Sequence, residues 1–281
     1  MFSRAIVRAP SANYADGLTT VDLGVPNYDL VLEQHELHCA ALEKCGLILT
    51  RLEKDERYPD ATFVEDTAVL IPRQEPARQQ GLGSAEELEP NRGRDSAGCA
   101  ILARPGAASR IGEVESIGQV LSQFYSELHS IHEPGTVDGG DICEAENHFF
   151  IGISERTNEA GAQQLATWLA SCGRTSSFVD IRGVNKILHL KSGIAYLGDN
   201  RLVVRDALAE VEEFQQYELV RLNAGEEYAA NCVRVNSRVL VAAGYPRFEK
   251  SLQELGYETL ALEMSEFQKM DGGLSCLSLR F

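Results

Sequence analysis

Short apolar runs and amphipathic segments take turns along the whole chain, and their order repeats. Residues 5–8 read as a strand stopped by Pro10, and a polar loop over 11–27 carries Gly17-Leu-Thr-Thr20. Leu30, Leu32, Leu37, Ala40, Ala41 and Leu42 recur at roughly helical spacing, which predicts a helix over 29–45 with Gly46 as its stop. A strand over 47–52, an acidic turn and an apolar β-rich stretch over 62–71 follow. The order strand, helix, strand, strand then returns at 99–104, 111–124, 129–132 and 136–143, and again at 148–153, 158–172, 177–181 and 186–191. It recurs at 201–205, 207–216, 218–222 and 230–236, and last at 238–242, 246–255, 259–263 and 274–280. Internal repeats of this length define whole architectures. Five units of ββαβ character predict an α/β protein of one domain, 1–281, whose last strand pairs with its first to close a ring with no free sheet edge. One stretch interrupts the pattern: 72–98 is rich in Gln, Glu, Arg, Gly and Pro, has no apolar period, and is expected to be a solvent-exposed, mobile insertion.

Composition narrows the function. Lys and Arg number 26 against 42 Asp and Glu, a formal charge of −16, which argues against nucleic acid and anionic membranes and favours small cationic ligands. Seven cysteines, at 39, 45, 99, 143, 172, 232 and 276, are scattered without a Cys-x-x-Cys pair. Neither a disulfide framework nor a zinc cluster is expected, and a reducing cytoplasm fits best. No run approaches the length of a membrane span, and the N-terminus lacks a signal-peptide core. His35 and His38, at i and i+3, lack the metalloprotease spacing, so no metal site is expected.

The repeat register carries the chemistry. Polar groups interrupt the corresponding apolar strand of each unit: Phe63-Val-Glu-Asp66, Val137-Asp-Gly-Gly-Asp141, Leu188-His-Leu-Lys-Ser192, Ala230-Asn-Cys232 and Gly273-Leu-Ser-Cys276. Steps of 51, 43 and 44 residues separate Asp138, His189, Cys232 and Cys276. Taken singly, Cys276 reads as a small buried hydrophobe, His189 as a core histidine, and Asp138 and Asp141 as turn formers. Taken together around a pseudo-symmetry axis, the strands converge and bring carboxylates, a histidine and a thiol into one cavity. Cys232 falls in the same register and is read as structural.

These motifs, with Arg104-Pro-Gly-Ala107, Ser109-Arg110, Arg156-Thr-Asn158, Ala229-Ala-Asn-Cys232 and Asp271-Gly-Gly-Leu-Ser-Cys276, resemble the dimethylarginine dimethylaminohydrolases of the pentein superfamily over nearly the whole chain. The resemblance implies a five-bladed α/β propeller needing no cofactor, with Cys276 as nucleophile, His189 as general acid/base and Asp138 as third catalytic residue. It places the guanidinium of a cationic amino acid against Asp66, Glu65 and Asp138, its carboxylate on Arg110 and Arg156, and its amino end near Asp60 and the Leu18 loop. Leu18 and the Gly273-Leu274 backbone are expected beside the leaving nitrogen. Arginine deiminase chemistry and non-catalytic guanidine binding are the competing readings, and the chain is expected to be a monomer or homodimer.

Overall fold

The computed structural model describes residues 1–72 and 98–281, so the expected insertion falls almost wholly outside the described residues. Fifteen strands form five three-stranded sheets among the described residues. In four of them the inner strand runs antiparallel to the middle strand, and the middle strand runs parallel to the outer one. These blades are β3 (Ala68–Ile71), β4 (Cys99–Leu102) and β5 (Glu127–Ser130); β6 (Ile142–Ala145), β7 (His148–Ile153) and β8 (Thr175–Asp180); β9 (Ile194–Gly198), β10 (Arg201–Val204) and β11 (Glu218–Arg221); and β12 (Val233–Val235), β13 (Arg238–Ala242) and β14 (Glu258–Leu262). The fifth is shared by the two ends of the chain: β15 (Leu279–Arg280) lies antiparallel to β1 (Arg4–Arg8), which runs parallel to β2 (Ile48–Leu52). The ring closes as the register predicts, with Ala5 opposite Arg280.

Helices bridge the middle and outer strands of four blades, as parallel pairs require a crossover: α1 (Tyr28–Lys44), α2 (Glu113–Leu121), α3 (Glu159–Ser171) and α4 (Pro246–Glu254). Asn27 and Asn158 cap α1 and α3 by accepting from backbone N–H groups of the first turn. The helix expected over 207–216 is instead two 3₁₀ turns, Asp206–Leu208 and Glu212–Phe214, and a short α5 (Ser265–Gln268) was not expected. On α1 the buried face is Val31, Gln34, His35, His38, Cys39, Ala41 and Leu42, whereas Leu30 and Leu37 are exposed. Gln34 earns its place inside by accepting from the Glu266 N–H and donating to Ser265 Oγ. No helix among the described residues is long and apolar enough to cross a membrane.

Candidate active site

Most of the chemistry-bearing groups sit in tight turns at the hub, where the sequence predicts unbroken strands. Glu65 and Asp66 lie in the 3₁₀ turn Val64–Thr67, Asp138 caps the turn Gly139–Asp141, and His189 caps Leu190–Ser192. Cys276 lies in irregular chain between α5 and β15, of which only Leu279–Arg280 is strand. A strand would send neighbouring side chains to opposite faces; a turn lets the chain deliver one and leave the hub. The two glycines after Asp138 are required by closeness. A Cβ on Gly139 would stand 2.0 Å from the Glu65 carbonyl oxygen, and one on Gly140 would stand 2.7 Å from His189 Nδ1 and 2.8 Å from Asp66 Oδ1.

Cys276, His189, Asp138, Asp66, Asp60, Arg110, Arg156 and Leu18 line one cavity of about 30 Å³. Phe63, Thr19, Leu188, Met270, Asp271 and Gly272 complete it. These walls were not singled out in the sequence, although Leu188 adjoins His189 and Asp271-Gly272 opens the nucleophile motif. Asp138 Oδ2 lies 3.1 Å from His189 Nε2, and its Oδ1 accepts from the Gly106 N–H at 2.8 Å. Asp66 accepts from the Gly140 N–H at 2.8 Å and from Arg110 Nη1 at 2.7 Å. Above them, the Leu18 N–H donates to both Asp60 oxygens at 3.1 and 3.2 Å, Thr19 Oγ1 donates to the Lys269 carbonyl at 3.0 Å, and the Thr20 N–H donates to Asp271 Oδ2.

The charges are set by these neighbours. Burial alone would strip the proton from His189, but Asp66, Asp138 and Asp141 outweigh it and hold the imidazolium up to about 9. Burial pushes Asp66 up, and His189 with Arg110 more than reverses it, so Asp66 stays ionised. Burial, then Glu65 and Asp66, push the Cys276 thiol up to about 12. Burial likewise raises Asp60. The resting site therefore holds a neutral thiol, a charged imidazole and a carboxylate facing it.

The structure corrects four expected contacts. Glu65 points away from this cavity: it accepts from Lys191 Nζ at 2.6 Å, Ser275 Oγ at 2.6 Å and Arg280 Nη2 at 3.1 Å, and lines a separate cavity of about 170 Å³. Arg110, expected to present its fork to a ligand, spends it on Glu113, Asp66 and the carbonyls of Phe63 and Asp60. Gly273 packs against the Asn231 carboxamide, where a Cβ would be 2.4 Å from Oδ1, and Leu274 is buried in the core beside Phe267. Neither lines the cavity. Arg156 is half-buried at the cavity wall, and its charge acts on Asp60. Asp66, Asp138 and His189 have atoms within 4.8 Å of one another, near enough for a metal, but each carboxylate already takes two of the contacts above. Cys232 is buried on the far side, lining the larger cavity.

A closed ring of five blades with a thiol, an imidazolium and carboxylates meeting at its hub defines the pentein class, the propellers that modify guanidino groups. A sequence model of the arginine deiminase family matches residues 119–241. The N(G),N(G)-dimethylarginine dimethylaminohydrolase of Pseudomonas aeruginosa is 40% identical over 282 residues, covering 100% of both chains. Two solved structures share that identity and coverage. One is a cysteine-to-serine mutant of the Pseudomonas aeruginosa enzyme with citrulline, at a TM-score of 0.89. The other is a histidine-to-glycine variant of a dimethylarginine dimethylaminohydrolase as an adduct with S-methyl-L-thiocitrulline, at 0.88. The chain belongs to the dimethylarginine dimethylaminohydrolase family.

Proposed function

We propose that this chain hydrolyses Nω-methylated arginines, asymmetric dimethylarginine and monomethylarginine, to citrulline and dimethylamine or methylamine. The observation that carries the proposal is the single cavity in which Cys276, the His189 imidazolium and the Asp66 and Asp138 carboxylates converge beneath the Leu18 loop. The family's solved structures with citrulline and with a thiocitrulline adduct support it.

A guanidinium carbon is a poor electrophile because its charge is spread over three nitrogens. It needs a soft, strong nucleophile and a proton for the leaving amine. Asp66, ionised beside Arg110, and Asp138 grip the unmethylated nitrogens through charge-assisted N–H···O bonds, which hold the carbon near Cys276 Sγ. The arriving cation offsets the carboxylate field that keeps the thiol protonated, so binding itself favours the thiolate, the thiol proton passing to solvent because His189 already carries its own. Sulfur then bonds to the guanidinium carbon, the carbon–nitrogen bond to the methylated nitrogen breaks, and His189 gives that amine its proton. Water attacks the resulting S-alkylthiouronium, His189 takes a proton from it, and the carbon–sulfur bond breaks to leave citrulline. No cofactor enters these steps.

At the other end, Arg156 faces the substrate carboxylate and Asp60 the amino group. Arg110 acts through Asp66, fixing it and keeping it charged. A cavity of about 30 Å³ holds two or so waters at ~10–15 Å³ each, so the Leu18–Thr20 loop must move for substrate to enter. The chain is proposed to act in a reducing cytoplasm, as a monomer or homodimer.

Arginine deiminase chemistry is the second reading, favoured by the family match over 119–241. The same groups would attack plain arginine and release ammonia. Acid quench during turnover followed by peptide mass analysis tests the covalent step. An adduct on the Cys276 peptide is expected with methylated arginine, and its absence under conditions of rapid turnover would contradict the mechanism.

A further inference from the structure

The fourth unit of the ring contributes to the site, and its contribution is Asn231. We propose that Asn231 is a positioning residue that sets the distance between the nucleophile and the general acid/base; the inference rests on the activity proposed above.

Asn231 ends the 3₁₀ turn Glu227–Ala230 and is buried, 8% exposed. Its carboxamide is fully used, and on both catalytic segments at once. Oδ1 accepts from the Ser275 N–H at 2.9 Å, one residue before Cys276. Nδ2 donates one hydrogen to Ser275 Oγ at 3.1 Å and the other to the Lys191 carbonyl at 3.0 Å, two residues after His189. Two donors meet two acceptors and the oxygen meets an N–H, an arrangement only one orientation of the amide satisfies. Gly273 is pressed against the same carboxamide, and only a residue without Cβ allows that approach.

Glu65 backs this bridge from the other side. Its carboxylate accepts from Ser275 Oγ and from Lys191 Nζ, both at 2.6 Å, and its N–H donates to the Cys276 carbonyl at 3.1 Å. The turn that carries His189 and the loop that carries Cys276 come from different blades, and no strand pairing joins them. Glu65 joins the side chains of the two segments, whereas Asn231 hydrogen-bonds to the backbone of both, the Ser275 N–H and the Lys191 carbonyl. A displacement of about 1 Å between reacting groups costs on the order of 10²-fold in rate, so a single bridging amide is enough to decide turnover.

The test compares two substrates in Asn231→Ala and in Asn231→Asp, which keeps the shape and the acceptor but puts an oxygen against the Lys191 carbonyl. Methylated arginine needs a proton from His189 for its leaving amine, whereas S-methyl-L-thiocitrulline expels a thiolate that leaves without one. In folded protein, kcat on methylated arginine should fall by about 10²-fold, kcat on the thiocitrulline by clearly less, and KM should stay near wild type for both. An equal fall on the two substrates, or none, overturns the inference, because lost folding or a lost binding contact would not discriminate between leaving groups. If wild type cleaves neither substrate, the activity reading has failed, and a second arm judges Asn231. Replacing His189 by Gln should change the pH profile of Cys276 alkylation by iodoacetamide, and should change it less when Asn231 is already Ala. Additive effects in that cycle overturn the inference independently of turnover.

Discussion

Cys276 is the residue on which the proposed chemistry turns, and its surroundings make it a poor nucleophile until a cation arrives. Cys276→Ser should retain the fold and still bind substrate while turnover drops by about 10³-fold or more, because a hydroxyl is a far weaker nucleophile. Steady-state citrulline release checks this, and substantial release by the serine variant would remove the thiol mechanism. In the free protein, burial with Glu65 and Asp66 nearby raises the thiol. Its alkylation by iodoacetamide should therefore inflect above the ~8.5 of an ordinary cysteine, and an inflection below that value would contradict the assigned field. Cys276, His189 and Asp138 were legible as polar groups at corresponding places in the repeats, and the family resemblance supplied the roles proposed for them. It could not show what Glu65 and Arg110 do. Both are charged residues in the right motifs, but their roles follow from partners far away in sequence: Lys191, Ser275 and Arg280 for one, and Asp66 for the other, 44 residues off. Asn231 stands in the quoted Ala230-Asn-Cys232 motif with no role that spacing can assign, since its reach to both catalytic segments exists only in the fold.

Among the elements, the middle and outer strands and the four long helices were legible to within three residues, since period and caps mark them, while inner strands were placed too early, 136–143 for β6, 186–191 for β9 and 274–280 for β15, and the turns that carry the site were read as strand. Apolar residues such as Val64, Val137 and Leu190 surround those turns and are buried, so composition there mimics a strand. Only the close approaches of Gly139 and Gly140 reveal why the backbone must bend. The Leu18–Thr20 loop is latched to the nucleophile segment through Asp271, whose φ is +57°. Asp271→Gly removes the latch and suits that backbone conformation. Its KM for methylated arginine should rise by about 5–10-fold, the loss of one charge-assisted hydrogen bond, with the melting temperature little changed; an unaltered KM would show that the loop closes without this bond. Helix α1 buries His35 and His38 where Leu30 and Leu37 were expected to face inward, and neither His38 nitrogen has a hydrogen-bond partner among the described residues. Burial lowers His35 to about 4 and His38 to about 3. Both are ~6.5 when unfolded, so the unfolded chain binds more protons in acid. Their stabilising contribution is complete above ~6.5 and is lost as pH falls toward 4 and 3, at up to ~1.4 kcal/mol per pH unit for each group. His189, raised to about 9, acts with the opposite sign and loses its contribution as pH rises through that value. His38→Leu should flatten the decline in melting temperature between pH 6.5 and 4, and an unchanged decline would place the acid lability elsewhere.

For the whole molecule, five repeats and a closing strand were enough to foresee a ring, because each unit buries its apolar face against the next and the ends share the fifth sheet. The hub then follows: a ring of inner strands leaves a central space, and whatever polar groups the units carry there must meet. The acidic balance of the chain, −16 overall, agrees with a cationic substrate. Selectivity for methylated over plain arginine is less visible from afar, since it depends on the wall around one nitrogen. In the proposed binding mode Asp66 and Asp138 grip the unmethylated nitrogens, which would leave the leaving nitrogen toward His189 and apolar groups such as Leu18 and Leu188. A carboxylate facing that nitrogen would be left unpaired by methylation, a mismatch that would cost ~1–3 kcal/mol. The most direct measurement is kcat/KM for asymmetric dimethylarginine and for arginine side by side, with the released amine identified. Citrulline and dimethylamine, formed with a clear preference for the methylated substrate, are predicted; a preference for plain arginine with ammonia as product would contradict the assignment.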